Sequence, residues 1–241
     1  ESQIRSSRGT RALGLLPAPR VPRVAGTRPS RVASPRRCGY TERMQRVVGG
    51  RLGGRRLLAL PSKLKGVRPT SSKLRAAVFD RLQAEVVGAR VLEPFAGTGA
   101  ISVEALSRGA AFATLIERQR GMTDFLARQL TALELEGVTR VISGDARKVL
   151  QGDPEPFDLV YLDPPYEETA LYSVVATHLV EGGWLRKGAV IVVEFYEGGG
   201  AQVDFEWPEA LEVQARKRYG QHRLDFLRFT GEKESVKGPP S

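Results

Sequence analysis

The sequence predicts an α/β fold built on a mainly parallel, doubly wound sheet of seven strands that ends in an antiparallel hairpin. Three observations carry this. From Arg90 to Phe195, short β-patterned runs alternate with stretches of helical spacing, and a βαβα order builds a parallel sheet with helices on its faces. Those runs, such as Leu159-Val160-Tyr161-Leu162, lack polar alternation, as strands covered on both sides do. The last two runs, 211–218 and 222–229, are separated only by Tyr219-Gly220-Gln221. A loop that short joins antiparallel strands and cannot make a parallel crossover.

Residues 1–43 carry ten arginines against two acids, interspersed with Ser, Pro and Gly and without hydrophobic period. Such a segment buries too little apolar surface to offset its conformational entropy, so disorder is expected. It resembles an Arg-rich, acid-poor organellar targeting segment. Because Met44 stands where the ordered pattern begins, upstream residues outside the working protein are the preferred reading. Next, 45–50 and 55–60 are expected as two short strands joined by the Gly-rich turn 49–54. After the loop 66–70, Thr70 or Ser71 caps a helix whose apolar residues Leu74, Val78 and Leu82 recur every four positions, with Lys73 and Arg75 on its wetter sides.

The body then follows as strand 90–94, helix 100–107, strand 113–117, helix 121–135, strand 139–143, short helix 146–150, strand 157–163, helix 170–180 and strand 189–195. The closing hairpin makes this the strand plan of methyltransferases that use S-adenosylmethionine (SAM) rather than that of dehydrogenases. Four segments result: a disordered basic extension over 1–43, a basic arm and helix over 44–85, the α/β domain over 86–231 and a flexible tail over 232–241.

Composition narrows the function classes. With 41% hydrophobic and 27% charged residues, the chain has the profile of a globular protein with one moderate core. No apolar run approaches the roughly 20 residues that span a bilayer. Cys38 is the single cysteine and His178 and His222 are the two histidines, which argues against a disulfide and against a thiolate or imidazole metal site. No metal is expected. The net charge of +10 is unevenly spread: residues 44–80 hold nine basic residues against Asp80, whereas 81–241 hold eighteen against twenty-four acids. An acidic body behind a basic arm points to a polyanion gripped by the arm. Arg46, Arg51, Arg55, Arg56, Lys63 and Lys65 are the candidates, each set against the plainer reading of a solvated surface charge.

The run FDLVYLDPPY at 157–166 carries the chemistry. Asp163 stands at the carboxyl end of a strand, where open α/β sheets bind ligands. Pro164 and Pro165 fix two φ angles and supply no N–H, and Tyr166 offers a flat face for a base. One carboxylate, one rigid carbonyl and one ring form a holder for a planar exocyclic amine. By itself an Asp-Pro turn is common punctuation; the other strand ends decide. Glu93-Pro94-Phe95-Ala96-Gly97-Thr98-Gly99 turns from the first strand into a helix, and Ser102 stands where a dinucleotide-binding loop would place its third glycine. Glu93 would repel a pyrophosphate but suits the α-ammonium of an amino-acid cofactor. Glu117 closes the second strand, where an acid accepts ribose hydroxyls. Asp145, followed by Ala146, ends the third and suits an adenine amino group.

EPFAGTGAISVEALSRGA, Glu117, GDA at 144–146, VYLDPPY at 160–166, the arm RVVGGRLGGRRL, the helix GVRPTSSKLRAAVFDRL and the closing RKRYGQHRLDFLRF together resemble the RsmD family of bacterial small-subunit rRNA guanine-N2 methyltransferases, over about residues 44–230. D-P-P-Y alone is shared with adenine-N6 and cytosine-N4 enzymes; the arm and hairpin favour this family. The resemblance implies a SAM-dependent enzyme with Glu93, Phe95, Ala96, Gly97, Thr98, Gly99, Glu117, Asp145, Ala146 and Asp163 lining the SAM pocket. It implies Asp163, Pro164, Pro165 and Tyr166 as the residues receiving the flipped guanine. Arg68, Thr70 and Arg75 would lie near the substrate entrance. Ribosomal RNA or an assembling small subunit would be the partner, with the enzyme a cytoplasmic monomer, or imported into an organelle if residues 1–43 are a targeting segment. The family often has Asp where Glu93 stands. The rival readings are another amino-methyltransferase acting on DNA or other RNA, and a non-catalytic RNA-binding assembly factor.

Overall fold

The computed structural model describes residues 45–62, 64, 70–198 and 205–231. The extension 1–43, the tail 232–241 and the candidates Lys63, Lys65 and Arg68 lie outside them. Seven strands form one sheet in the order β3-β2-β1-β4-β5-β7-β6. They are β1 (Arg90–Glu93), β2 (Phe112–Glu117), β3 (Thr139–Ser143), β4 (Phe157–Leu162), β5 (Leu185–Tyr196), β6 (Leu211–Tyr219) and β7 (His222–Phe229). β1 to β5 are mutually parallel, and β7 runs antiparallel to both β5 and β6. The expected seven-stranded plan is therefore met. Its chain reversal between β1 and β4 opens the crevice where such sheets take ligands.

The helices are α1 (Ser72–Val86), α2 (Ala100–Ser107), α3 (Arg120–Ala132), α4 (Ala146–Val149) and α5 (Ala170–Glu181). α1 starts at Ser71, whose hydroxyl accepts the Leu74 N–H at 3.2 Å. One apolar cluster joins Leu74, Val78, Phe79 and Leu82 of α1 to α2, to Leu126 and Leu130 of α3, and to Leu159 and Tyr161 of β4. A second fills the other face, uniting Leu92 and Val160 with Tyr172, Val175 and Leu179 of α5. Trp184 is buried there, donating to the Leu150 carbonyl at 2.9 Å. β5 begins before the expected Ala189. It passes through Gly188 at φ +83° and breaks register against β4 between Phe157 and Leu159.

The arm departs from its expected form. It reverses as a hairpin would, with the Val47 N–H on the Arg55 carbonyl at 2.9 Å and the Leu57 N–H on Gln45 at 2.8 Å, but only the isolated bridge Arg46–Arg56 forms. The missing ladder is physical: its donors are spent on the body. Val48 and Gly49 give their N–H groups to the two Glu104 carboxylate oxygens, each at 2.8 Å. Leu52 gives its N–H to the Ser107 hydroxyl at 2.9 Å, and Leu58 to Gln129 Oε1 at 3.1 Å.

α1 brings a second correction. Arg75, expected on a wet face, is fully buried. Its guanidinium donates to the Thr70 carbonyl at 2.6 Å, the Arg46 carbonyl at 2.7 Å and Gln45 Oε1 at 3.1 Å, and lies 3.8 Å from Glu104. Burial lowers the proton affinity of this guanidinium, and the neighbouring Glu104 charge opposes that fall.

Candidate active site

The carboxyl ends of the central strands gather the acids singled out from the sequence. Glu93 is the last residue of β1 and only 4% exposed. Its Oε2 accepts the Ser102 N–H at 3.1 Å and the Ser102 hydroxyl, so the residue that replaces a third glycine becomes the first donor to this acid. Burial pushes the Glu93 carboxyl up to about 8, with Ser102 pulling it down and the Glu117 charge adding to the rise. The Arg75 charge opposes that rise only weakly, and among the described residues no ion pair reaches Glu93.

Glu117 ends β2, the neighbouring strand. Its Oε2 accepts the Gly97 N–H at 3.0 Å and its Oε1 the Gln119 N–H at 2.8 Å, tying the glycine turn to β2 while leaving lone pairs on both oxygens. The turn follows as planned. Ala96 donates to the Ile116 carbonyl at 2.9 Å, and Gly97 and Gly99 hold φ +50° and +68°. A Cβ on Gly99 would stand 2.7 Å from Leu126 and 2.9 Å from Leu115, so both conformation and space require glycine there. Thr98 is buried, its carbonyl held by Gln129, and Phe95 packs on the α5-side core.

Asp145 follows β3 and caps α4, accepting the Arg147 N–H at 3.0 Å and pairing with the Arg147 guanidinium. That bond to Arg147 holds its carboxyl below the usual range. Of the four strand-end acids it alone carries its own cation. Ala146 is buried beside it.

Asp163 follows β4, one step beyond the paired residues Leu162 and Val193, so it stands beside Glu194 of β5. Burial, with the Glu194 and Glu93 charges behind it, holds its carboxyl well above the usual range. Glu93 ends the neighbouring strand β1, so the two acids stand at adjacent strand ends. Pro164 is buried, Pro165 exposed, and the Tyr166 ring is 61% exposed at the rim. The Arg118–Glu168 ion pair clasps this loop to the end of β2.

The predicted RNA contacts divide. Arg46, Arg51, Arg55 and Arg56 are exposed on the arm, two of them also bonding backbone: Arg46 to Gly54 at 2.8 Å and Arg55 to Ala132 at 2.9 Å. Arg75 is fully buried and pins the arm from inside. Thr70 serves the same purpose through its carbonyl. Sequence reasoning missed Glu104, the acid that anchors the arm, and Glu194, which accepts the buried Tyr161 hydroxyl and lies 2.6 Å from His222 Nδ1. An acid inside an otherwise apolar helix (AISVEALS) or strand (IVVEF) was the available signal.

Comparison with known proteins points the same way. Residues 45–228 match the family described as conserved hypothetical protein 95. Ribosomal RNA small subunit methyltransferase D of Escherichia coli K12 is 37% identical over 163 residues, 67% of this chain and 80% of that protein. The solved structure of yhhF from Escherichia coli superposes with a TM-score of 0.68 at 31% identity, covering 78% of this chain and 99% of that one. In fold alone, SMU.776, a methyltransferase structure complexed with S-adenosylhomocysteine, is similar at a TM-score of 0.51 and 13% identity, over 72% of this chain and 53% of that one. The chain thus belongs to the RsmD family, the family of ribosomal RNA small subunit methyltransferase D.

Proposed function

We propose that the protein transfers a methyl group from SAM to the exocyclic N2 amine of a guanine in small-subunit ribosomal RNA. The observation that carries this is the placement of Glu93, buried, and Asp163, half-buried, at the carboxyl ends of the neighbouring strands β1 and β4, with no ion pair to either among the described residues. SAM fits what the residues need. Glu93 would hold its α-ammonium, Glu117 has lone pairs left that would accept its ribose hydroxyls, and the Gly97–Gly99 turn would let it approach backbone. When bound, SAM supplies an electrophilic sulfonium methyl.

The chain's residues do the rest. An aromatic amine is a weak nucleophile because its lone pair is delocalised into the ring. Asp163 and the Pro164 carbonyl accept its two N–H bonds, favouring a pyramidal nitrogen with its lone pair directed at the methyl. As the C–N bond forms, positive charge grows on nitrogen and is met by Asp163. With the cationic donor bound beside it, Asp163 would be held as a carboxylate and would take the proton that this nitrogen must lose. The target base leaves its stack at a cost of a few kcal/mol and is received against the exposed Tyr166 ring. The arm arginines add affinity without base choice, since phosphate contacts position and base edges specify.

The test is methyl transfer from labelled SAM to small-subunit rRNA, followed by digestion and mass spectrometry of the nucleosides. N2-methylguanosine is expected. N6-methyladenosine or N4-methylcytidine would overturn the base assignment, and absence of transfer by a SAM-binding protein would overturn the activity.

A further inference from the structure

The part of the carboxyl edge beyond β5 has no role in the reaction above, yet it carries a row of rings. Asp163 stands beside Glu194, and two residues on, Tyr196 pairs with His222 of β7, which pairs with Tyr219 of β6. Paired residues in a sheet point to the same face, as do residues two apart in one strand. Tyr196, His222 and Tyr219 therefore share the face of Glu194 and extend across three strands, about 10 Å at ~4.8 Å per strand. The row continues inward: Tyr166 and Tyr196 have centroids 6.1 Å apart and are tilted by 57°, and Tyr196 and His222 are 5.5 Å apart and edge-on at 67°, so each ring offers a separate face rather than one shared plane. Among the described residues, the aromatic side chains that count as large exposed hydrophobics are Tyr166, at 61%, and Tyr219, at 37%, and both lie on this rim.

The charge of the hairpin matches. Lys217 is exposed and, two residues before Tyr219, shares its face. Arg218 and Arg223 point to the opposite face, where both pair with Glu197, and Arg223 covers the Phe195 ring at 4.2 Å. Rings in a row beside a cation form a platform for successive unpaired bases and their phosphates. The basic arm packs over α2 and α3, so this platform is a separate surface.

We propose that the tip of the β6–β7 hairpin is a second RNA-contact surface. On it, single-stranded nucleotides flanking the flipped guanine stack along Tyr196, His222 and Tyr219, with Lys217 meeting a phosphate. This rests on the rRNA reading above. The test is binding of a labelled single-stranded small-subunit rRNA fragment that the wild-type protein methylates. Tyr219→Ala is expected to weaken RNA binding about fivefold or more, Tyr219→Trp to restore it, and SAM affinity without RNA to stay unchanged in both. Lys217→Gln should make the log–log salt slope shallower by about 0.7. Unchanged RNA affinity in Tyr219→Ala, or no recovery in Tyr219→Trp, would overturn the surface. A wild-type protein that methylates no rRNA would instead overturn the function on which it rests.

Discussion

Glu93 and Glu104 are both buried, at 4% and 1% exposure, at the two ends of one turn-and-helix segment, yet their surroundings are opposite. Glu104 receives two backbone N–H groups from the arm, the Arg108 guanidinium at 2.9 Å and the more distant Arg75. Among the described residues, Glu93 has only Ser102 as a donor. A buried charge is tolerated when hydrogen-bonded and paired, and is costly otherwise. The saturated acid holds structure; the unsaturated one is, on the proposal above, the acid that would meet the ligand. The same division separates Arg75, enclosed and hydrogen-bonded through both terminal nitrogens, from Arg51 and Arg56 on the open arm.

The largest expected effect falls on the unsaturated side. Asp163→Ala should lower single-turnover methyl transfer by about a thousandfold while SAM binding persists, as seen by calorimetry. Near-native turnover would remove Asp163 from the chemistry. On the saturated side, Glu104→Ala should destabilise the fold by about 3–5 kcal/mol, because Arg75 is left buried without its anion and two arm N–H groups lose their acceptor. Urea unfolding measures this, and a loss under ~1 kcal/mol would mean the arm is held by its apolar residues alone. A smaller effect is expected for Arg51→Ala with Arg56→Ala: weaker RNA binding and a log–log salt slope shallower by roughly 1.4, with no change in melting temperature.

The smallest effect has the most telling sign. The folded-state carboxyl of Glu93 is raised to about 8 from an ordinary unfolded value, so its stabilising share is complete below about 4.5 and is lost as pH rises toward 8. Glu93→Gln should therefore raise the melting temperature at pH 8.5, by about 2–4 °C for a gain on the order of 1 kcal/mol, and leave it little changed at pH 4.5. A drop at pH 8.5 would show that the ionised carboxylate stabilises the fold.

Much of this was legible in the chain because strands covered on both faces are written as unbroken apolar runs. Acids that end such runs, namely Glu93, Glu117 and Asp163, announce themselves by contrast. The strand order and the pairing of Glu194 with Asp163 were not legible, since register is decided by which strands meet rather than by either run alone. Arg75 misled for a related reason. Next to Leu74 on α1, it reads as the edge of an amphipathic stripe, and only the folded arm, supplying carbonyls from Arg46 and Thr70, makes an interior arginine affordable. The arm read as two strands because its residues suit strands, but Glu104 and Gln129 outcompete the cross-strand carbonyls for its N–H groups.

The most direct measurement is a calorimetric titration of SAM into the wild-type protein and Glu93→Gln between pH 6 and 9. If Glu93 waits for the α-ammonium, wild-type affinity should strengthen as pH rises toward about 8 and level off above it. Binding below that point should release a proton, and Glu93→Gln should bind weakly with little pH dependence. Wild-type affinity that is flat across this range, or a variant that binds as tightly as the wild type, would contradict the assignment of this crevice as the methyl-donor site.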